Sequence, residues 1–471
     1  MKFSASIQEK TGFIRGFFPF FVFFFLMEAV LFNFFHFVTK IHLVSYMIKL
    51  NLIIMKHSIF LLFFCFLFSC SELQYMSGIN HTSIVFNELG NKKVIKYKGD
   101  ISFNDDETMV SSMSENAFLY YNDANNKLEV TRKDGKILYE WNDKSISESE
   151  VLTSQIQIVM QSILNSGVDI EGRLNRTYTK AGIDGVVSKS KQMKMDFLKS
   201  KALIFALSKN EITPLQLEDL IQVISTIESD FEMKGIITSF DSRNLEDQKN
   251  LNSLILVIKS MESDYEKSQA LHHILKKNKT AYLASSMTEA IGSIESDYDK
   301  AQLLHHLVDA KTISLSNINI LETMDSDYEK SNILKKLFDS SLDSSIFTPS
   351  LSATQSIESS YEKKEVLQRI DTKMLSESNF TMYIELLKSI ESSHELSSVI
   401  MNCADQNLDN EGHWVALIET CNNIDSDYDK ANALAHIASK IKLSSTMKEA
   451  YINVVKTLQD DYQYGKLMRA I

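Results

Sequence analysis

Proline is scarce in this chain. Its 471 residues include 3 prolines, and only Pro214 and Pro349 lie beyond residue 69. Because proline removes a hydrogen bond from a helix interior and distorts it, the scarcity favours a mostly helical body.

Cysteine is also rare, and the body of the chain has only two. Of the 4 cysteines, Cys65 and Cys70 lie in an apolar N-terminal stretch, which leaves Cys403 and Cys421. Nothing in the sequence shows that their Cβ atoms approach each other as a disulfide requires. We expect two buried small apolar residues, and a Cys403–Cys421 disulfide is the alternative.

Positive charge is deficient outside the N-terminal stretch. Residues 1–69 contain six basic and two acidic residues, so the remainder has 43 basic and 59 acidic residues and a formal charge of −16. Nucleic acids and anionic lipid surfaces require a basic footprint. The charge therefore disfavours both as main partners, and we expect no nucleic acid to bind.

Catalytic signatures are missing as well. The chain has no glycine-rich phosphate loop, no Gly-x-Ser-x-Gly elbow and no Cys-x-x-Cys pair. We therefore expect a protein that is not an enzyme and has no cofactor, no metal site and no catalytic residue. A hydrolase with an unrecognised site is a remote alternative.

The N-terminal stretch has the layout of an export signal. A Phe-dominated run occupies residues 17–38, and a second candidate start, Met55, precedes Lys56 and a twelve-residue apolar stretch ending in Leu67-Phe68-Ser69-Cys70. A basic start, a short apolar segment and a small residue form a secretory signal. This one resembles a bacterial lipoprotein signal, which implies acylation of Cys70 and removal of the preceding residues.

This resemblance implies a cell-envelope protein attached to a bacterial membrane through Cys70. We assign residues 1–54 to an extension that is an over-long gene start, 55–69 to the signal peptide and 70–81 to a linker. The alternative is an N-terminal membrane hairpin built from both apolar runs. The outer membrane or the periplasmic face is favoured over the cytoplasmic one.

Residues 82–145 have the pattern of a small antiparallel β domain. Short β-rich runs such as Val94-Ile95-Lys96-Tyr97 alternate with turn residues, and Lys133-Asp134-Gly135 is a strong hairpin turn. We expect five or six strands. The acidic loop Asn104–Glu107 lacks the alternating oxygen ligands and the glycine of a calcium loop, so we interpret it as a solvated turn.

Residues 146–190 have the pattern of connecting helices, and they contain two glycine-bearing segments that carry a resemblance. The acidic Asp105–Glu107 loop is followed by Gly167-Val168-Asp169-Ile170-Glu171-Gly172-Arg173 and by Ala181-Gly182-Ile183-Asp184-Gly185-Val186. Together with the repeats described next, this order resembles the soluble extracytoplasmic region of bacterial membrane metallopeptidases of the beta-lactam-sensor (antirepressor) type. The likeness covers about residues 99–471 and implies no catalytic residue.

The peptidase part of that family is missing. Its zinc site needs a helical His-Glu-x-x-His, and the nearest fragment here, His394-Glu395-Leu396-Ser397-Ser398, lacks the second histidine. The resemblance therefore implies a β-plus-helical-repeat module without proteolysis.

A repeat dominates residues 191–471. Near-copies of Glu262-Ser263-Asp264-Tyr265-Glu266-Lys267 recur in steps of 34, 34, 33, 30, 33, 33, 34 and 34 residues, measured at the aromatic position. This period predicts an α-solenoid, right-handed, of about eight or nine two-helix repeats. We interpret the aromatic residues, or their substitute, as structural anchors in the core: Phe197, Phe231, Tyr265, Tyr298, Tyr328, Tyr361, His394, Tyr428 and Tyr462.

Each copy predicts a helix start. A serine precedes an acid by three positions, as in a helix N-cap, with a full capping box where the acid is Glu. Apolar residues return at positions +5, +6 and +9 from the aromatic residue, as at Ala270, Leu271 and Ile274. The predicted caps are Ser229, Ser263, Ser296, Ser326 and Ser426.

Paired histidines occupy equivalent positions of adjacent repeats. His272-His273 and His305-His306 match in register, and His436 fits the second position. Lysine, glutamine or arginine fills the same positions in other repeats, so we interpret them as a polar outer face and not as a metal site.

These observations predict a non-enzymatic, monomeric envelope lipoprotein whose repeats present a surface to an unknown protein or peptide partner. The alternative is an accessory sensor module of an envelope signalling system.

Overall fold

The computed structural model describes residues 73–78, 81–88, 91–209, 212–278, 280–281, 285–340 and 343–469. The predicted extension, the signal peptide and Cys70 lie outside these residues. The fold is mostly helical, with a small antiparallel sheet before a helical-repeat region, as the sequence predicts.

Two compact units can be distinguished in the described part. The first contains residues up to 98 together with 120–127, and the second contains 99–119 and everything from 128 onward. Strands β1 to β3 belong to the first and pair as an antiparallel meander, with Ile84 opposite Ile95. The strands are β1 Leu73–Gly78, β2 His81–Glu88, β3 Asn91–Lys98, β4 Ile101–Phe103, β5 Val110–Met113, β6 Phe118–Asn122, β7 Lys127–Lys133, β8 Lys136–Trp141 and β9 Lys144–Ile146.

The predicted β domain is larger than expected. Strand β1 lies inside the stretch assigned as a linker, and the described residues contain nine strands where five or six were predicted. The predicted hairpin turn is present between β7 and β8, with Asp134 and Gly135 both at positive φ. This pair of angles gives the tight turn that the twist of two antiparallel strands prefers.

Three helices follow the strands: α1 Glu148–Val151, α2 Ser154–Leu164 and α3 Ile170–Gln192. Gly182 interrupts α3 with φ 63° and ψ −156°, angles that a residue with a side chain rarely adopts. Gly182 therefore divides α3 into two helical stretches that meet at a kink.

The repeats form two layers of helices. From α3 onward, most helices pack against the helix two positions further along the chain, and the 18 helices from α3 to α20 form nine successive pairs within the described residues. One layer contains α3, α5 Pro214–Ile224, α7 Gln248–Lys259, α9 Ser285–Gly292, α11 Leu315–Ile318, α13 Ser344–Ala353, α15 Glu377–Lys388, α17 Glu411–Thr420 and α19 Ser445–Val455.

The other layer is made of the helices that begin at the repeated motif. From the first of these helices to the last but one, the apolar residues at +5, +6 and +9 are buried, as predicted, for example Ala270, Leu271 and Ile274. The core of the stack lies between the two layers. The helices are α4 Asp196–Leu207, α6 Asp230–Ile237, α8 Asp264–Lys277, α10 Asp297–Asp309, α12 Asp327–Asp339, α14 Ser360–Leu367, α16 Ser393–Asp405, α18 Asp427–Lys440 and α20 Asp461–Met468.

The predicted serine caps are confirmed. The hydroxyl of Ser263 accepts a hydrogen bond from the N–H of Glu266, and Ser229, Ser296, Ser326 and Ser426 do the same in their own repeats. Ser359 and Ser392 cap the two irregular repeats in the same way.

The prediction of a full capping box is wrong for these helices. In such a box the glutamate would accept the N–H of the capping serine. That N–H is already bound by the preceding repeat, since Ser263 donates to Oδ2 of Asp230 at 2.6 Å. Glu266 pairs instead with Lys234 of the preceding repeat, at 3.2 Å.

The aspartate of the motif thus joins one repeat to the next. Oδ2 of Asp264 accepts the N–H groups of Glu295 and Ser296 at 2.9 and 2.7 Å. One carboxylate therefore accepts two adjacent backbone N–H groups of the next turn, one exposed and one half-buried, through charge-assisted hydrogen bonds. The same pair of bonds is made by Asp196, Asp230, Asp297, Asp327 and Asp427, and by the hydroxyl group of Ser393. The hydroxyl group of Ser360 accepts the N–H of Ser392.

The lysine of the motif is buried and supports the same contact between neighbouring repeats, which we call the joint. Lys330 is 5% exposed, lies 3.3 Å from Oδ1 of Asp327, and donates to the carbonyl of Ser356 in the next repeat at 2.8 Å. A buried ammonium group is tolerated only when it is paired and hydrogen-bonded. Asp and Lys together therefore fix the stacking of neighbouring repeats.

Candidate binding surface

The aromatic residues of the repeats are exposed, so their assignment as core anchors is wrong. Phe231, Tyr265, Tyr298, Tyr328, Tyr361, Tyr428 and Tyr462 are between 53% and 70% exposed. We call these seven residues the aromatic ladder. Isolated exposed aromatics are unremarkable, but the ladder places one at the same point of almost every repeat.

Helix geometry explains this exposure. At 100° per residue, positions +5, +6 and +9 lie about 140°, 240° and 180° around the helix from the aromatic residue. The apolar stripe is therefore centred on the opposite side of the helix from the ladder. The lysine at +2 falls at about 200° on the same scale, which explains why Lys267, Lys300 and Lys330 are buried.

Two positions depart from the ladder. Phe197 is half-buried and packs against the core beside Gly167, so it does act as an anchor. His394 replaces the aromatic residue in an irregular repeat, and its side chain is 80% exposed. The longest unbroken part of the ladder therefore runs from Phe231 to Tyr361.

A row of exposed carboxylates accompanies the ladder. In seven of the nine repeats, the residue three positions before the aromatic residue, or before His394, is an exposed acid that forms no ion pair within the described part of the chain. Glu295, for example, lies between consecutive rungs, since its N–H is bound by Asp264, the neighbour of Tyr265, and it precedes Tyr298 by three residues. This acidic row consists of Glu228, Glu262, Glu295, Asp325, Glu358, Glu391 and Asp425.

Acids nearer the helices add to the negative charge. Burial, and then the negative charge of Asp297, raise the pKa of Glu329 above its usual value. Some of these inner acids are neutralised by lysines of the preceding repeat, as Glu395 is by Lys364 at 3.0 Å. Among the described residues, no member of the acidic row lies within ion-pair distance of a lysine or arginine, although Glu358 and Glu391 act on Lys363 at longer range.

Two rungs already bind a cation of their own chain. Nζ of Lys234 lies 4.8 Å from the ring centre of Phe231, and Nζ of Lys364 lies 4.4 Å from that of Tyr361. These distances are within the range of cation–π attraction. Rings of this surface can therefore receive positive charge on their faces.

A second candidate site lies where the β4–β5 loop meets α3. The side chain of Arg173 is 6% exposed and contacts both carboxylate oxygens of Glu107 at 3.0 Å, and Lys189 pairs with the same carboxylate. Burial alone would raise the pKa of Glu107, but the hydrogen bonds and charges of Arg173 and Lys189 outweigh it and lower that pKa.

The neighbouring carboxylate of Asp169 completes this ionic cluster. It accepts the N–H of Phe103 at 2.9 Å and pairs with Arg176 at 2.7 Å. Both Asp169 and Glu107 have positive φ, a strained backbone that occurs often at functional sites. A Cβ at Gly172 would collide with the Asp169 carboxylate, so glycine is required there.

Two of the sequence segments quoted above meet in this cluster. The acidic loop supplies Glu107, and the Gly-x-Asp-x-Glu-x-Arg segment supplies Asp169 and Arg173. Two open cavities of about 560 and 620 Å³ adjoin it. They share Asp105, Arg176 and Lys180, so acids and bases are mixed, and the lining selects neither anions nor cations.

The histidine positions do not form a metal site. The rings of His272 and His306 pack edge to face, with centroids 4.7 Å apart. Burial, then the neighbouring His306, lowers the pKa of His272. His436 instead pairs with Asp405 at 2.9 Å. No group of three or more His, Cys, Asp or Glu side chains in the described residues could hold a metal ion.

Cys403 and Cys421 are free, fully buried thiols. Burial raises the pKa of each to about 12, which leaves neither as a reactive thiolate. They are the small apolar core residues that the sequence predicts. Among the helices that the structure describes, none combines the length and apolar character that crossing a bilayer requires.

Comparison with known proteins gives little further information. No family model and no curated protein matches the chain. One solved structure that matches the chain comes from a study of computationally designed, self-assembling cyclic homo-oligomers. It is 12% identical over 66% of this chain and 98% of its own, with a TM-score of 0.11, which is too low to support any argument.

Proposed function

We propose that this protein is a non-enzymatic helical-repeat scaffold that binds a protein or peptide partner along the aromatic ladder. The observation that carries the proposal is the ladder itself, in which exposed rings recur at one point of the stack. Tyr and Phe dominate the energy of many protein interfaces because each buries a large area at low entropic cost. Exposed aromatic residues in a regular row are otherwise a liability for solubility.

Site-directed photocrosslinking tests this proposal. A photoreactive benzoylphenylalanine replaces Tyr298 in one variant and Leu256 in another. Leu256 is 53% exposed on α7, in the other helix layer. We expect a discrete adduct from position 298 alone, and its loss when Tyr265→Ala and Tyr328→Ala are added. Equal adducts from both positions, or none from either, would contradict a ladder-mediated interaction.

We further propose that the scaffold is a cell-envelope lipoprotein anchored through Cys70. The support is the sequence alone: a basic residue, a short apolar stretch and a small residue before cysteine. Mass spectrometry of the mature N-terminus is the test. An acylated Cys70 is expected, whereas a chain that retains Met1 or Met55 would reject the anchor.

The ionic cluster at α3 favours a second candidate function, an accessory sensor that binds a small envelope ligand. Its support is a strained, charged site beside two open cavities. Titration calorimetry with small zwitterionic compounds tests it, with Arg176→Gln as the variant and the exposed Arg243→Gln as the control. A ligand whose affinity is unaffected by Arg176→Gln would argue against this function.

A further inference from the structure

The rise of the aromatic ladder specifies the conformation of its partner. Helices that pack side by side are about 8–10 Å apart, and the rungs occupy the same position on consecutive helices of one layer. Consecutive rungs are therefore spaced by about 8–10 Å. A partner that contacts every rung must return to the same face at that interval.

A polyproline II helix meets this requirement. It has three residues per turn and rises about 3.1 Å per residue, so a given face returns about every 9 Å. In a β-strand successive side chains alternate between two faces. Residues three apart, which span about the distance between rungs, therefore point to opposite faces and cannot all contact the ladder. An α-helix returns a face about every 5.4 Å, so one turn is shorter than the step between rungs and two turns, about 10.8 Å, are longer than it.

The chemistry of the ladder agrees with its spacing. Rows of exposed aromatic rings bind polyproline II segments, because proline rings pack on them at little entropic cost. The acidic row adds one unpaired carboxylate between consecutive rungs, as with Glu262, Glu295 and Asp325. These carboxylates complement positive charge, and Lys234 and Lys364 show that the rings receive ammonium groups.

We propose that the partner is a basic, proline-rich segment in the polyproline II conformation, with Lys or Arg at every third residue. The unbroken ladder from Phe231 to Tyr361 spans four steps, or about 32–40 Å at the helix spacing. About 10–13 residues of polyproline II cover that length. This inference rests on the proposed scaffold function and names the partner of the same surface.

Calorimetric titration of the full chain with synthetic peptides tests the proposal. The probe repeats Arg-Pro-Pro over about 15 residues, a length set by the rise of polyproline II. One control has the same composition with the arginines grouped at one end, and another replaces Arg by Glu. We expect the period-three basic peptide to bind at least about tenfold more tightly than either control. Equal affinity for the grouped-arginine peptide would reduce the interaction to unspecific charge attraction and overturn the proposal.

Two variants assign the binding to the ladder. Tyr265→Ala, Tyr298→Ala and Tyr328→Ala combined should weaken the period-three peptide about tenfold or more. The matched control replaces Leu215, Leu256 and Leu315 by alanine. These residues are similarly exposed on helices of the other layer, so the affinity should stay unchanged.

Replacing Glu262, Glu295 and Asp325 by the corresponding amides should weaken binding at low salt and reduce its salt dependence. An unchanged affinity in the tyrosine variant would overturn the proposal.

The peptide titration and the crosslinking experiment test different claims and can fail independently of each other. A ladder-dependent crosslink with no preference for the period-three peptide would leave the scaffold function standing and reject the basic polyproline II partner. Absence of both would reject the scaffold function as well.

Discussion

The carboxylate of Asp327 lies 2.6 Å from the backbone nitrogen of Ser359, a residue of the next repeat. The same oxygen accepts the N–H of Glu358. Ser359 in turn caps its own helix by accepting the N–H of Glu362. A chain of hydrogen bonds therefore passes from one helix start to the next, and each motif stabilises both its own repeat and its neighbour. Stability in such arrays is largely a sum of repeat terms and nearest-neighbour terms, and this bond belongs to the second kind.

Removing one such carboxylate should open a single joint. Asp264→Ala leaves the N–H groups of Glu295 and Ser296 without their acceptor, and deprives Lys267 of its nearest charge. We expect a loss of about 1–3 kcal/mol, with faster amide hydrogen exchange confined to the joint between α8 and α10. The control is Glu262→Ala, whose exposed carboxylate makes no such bond. Uniform acceleration along the whole array would contradict a local joint.

Truncating the ladder should cost little stability. The Tyr298 side chain is 62% exposed, so Tyr298→Ala should change the free energy of unfolding by less than about 0.5 kcal/mol. Leu304, which is fully buried six residues later, should lose about 2–5 kcal/mol when it is replaced by alanine. Denaturant unfolding of the two variants checks the contrast. A large loss of unfolding free energy in Tyr298→Ala would mean that the tyrosine is a core anchor after all.

The period and the serine caps could be predicted because both are local features of the sequence. The exposure of Tyr265 could also have been predicted from the spacing of Ala270, Leu271 and Ile274, because that apolar stripe lies on the opposite side of the helix from the aromatic residue. The prediction failed because a recurring aromatic residue was given more weight than its angular position. Residue type alone does not determine burial, whereas position around the helix does.

Contacts between repeats could not be predicted in the same way. The bond from Asp264 to Ser296 spans 32 residues, and its existence depends on how two helices stack. The ionic cluster is similar, because Glu107 and Arg173 are 66 residues apart. Both partners lie in segments that the sequence analysis singled out, but no local rule indicates that a loop carboxylate and a helix guanidinium meet in the folded protein.

The serine cap contributes less to the free energy of unfolding than the contacts between repeats, and its effect is confined to its own helix. Ser263→Ala removes the acceptor for the N–H of Glu266 and should lower stability by about 1 kcal/mol. The ladder is unaffected by this change, so the affinity for any partner should stay constant. Parallel measurements of thermal unfolding and peptide binding check both statements. Lost binding with unchanged stability would show that Ser263 contacts the partner and is more than a cap.

The ionic cluster should make stability depend on pH. The folded state lowers the pKa of Glu107 from its ordinary value of 4.5, so the carboxylate contributes stability above that value. The contribution is lost as pH falls from about 5 through the lowered folded pKa. Glu107→Gln should therefore be less stable than the wild type at pH 7, with a difference that shrinks as the pH approaches about 3. Thermal unfolding across this range measures the effect.

The control for the pH experiment is Glu140→Gln, which alters an exposed carboxylate of β8. We expect it to follow the wild type at every pH. A pH-independent difference between wild type and Glu107→Gln would mean that packing, and not ionisation, accounts for the loss.

The irregular repeats offer a change that should increase stability. Ser360 occupies the aspartate position of the motif, and its hydroxyl accepts the N–H of Ser392 at 3.2 Å. Lys363, three residues later, is 5% exposed, and burial lowers its pKa. Ser360→Asp would supply both a charged acceptor for the next repeat and a carboxylate beside a buried ammonium group, as Asp327 does for Lys330. We expect a gain of about 1 kcal/mol in the free energy of unfolding.

The matched control is Ser393→Asp in the following repeat. Ser393 also binds the next turn, through the N–H groups of Asp425 and Ser426, but the buried Leu396 replaces the lysine there. The new carboxylate would have no ammonium partner and would lie beside Asp425. Ser393→Asp should therefore give a smaller gain or a loss in denaturant unfolding. An equal gain in both variants would show that the backbone acceptor alone sets the strength of the joint and that the buried lysine contributes nothing to it.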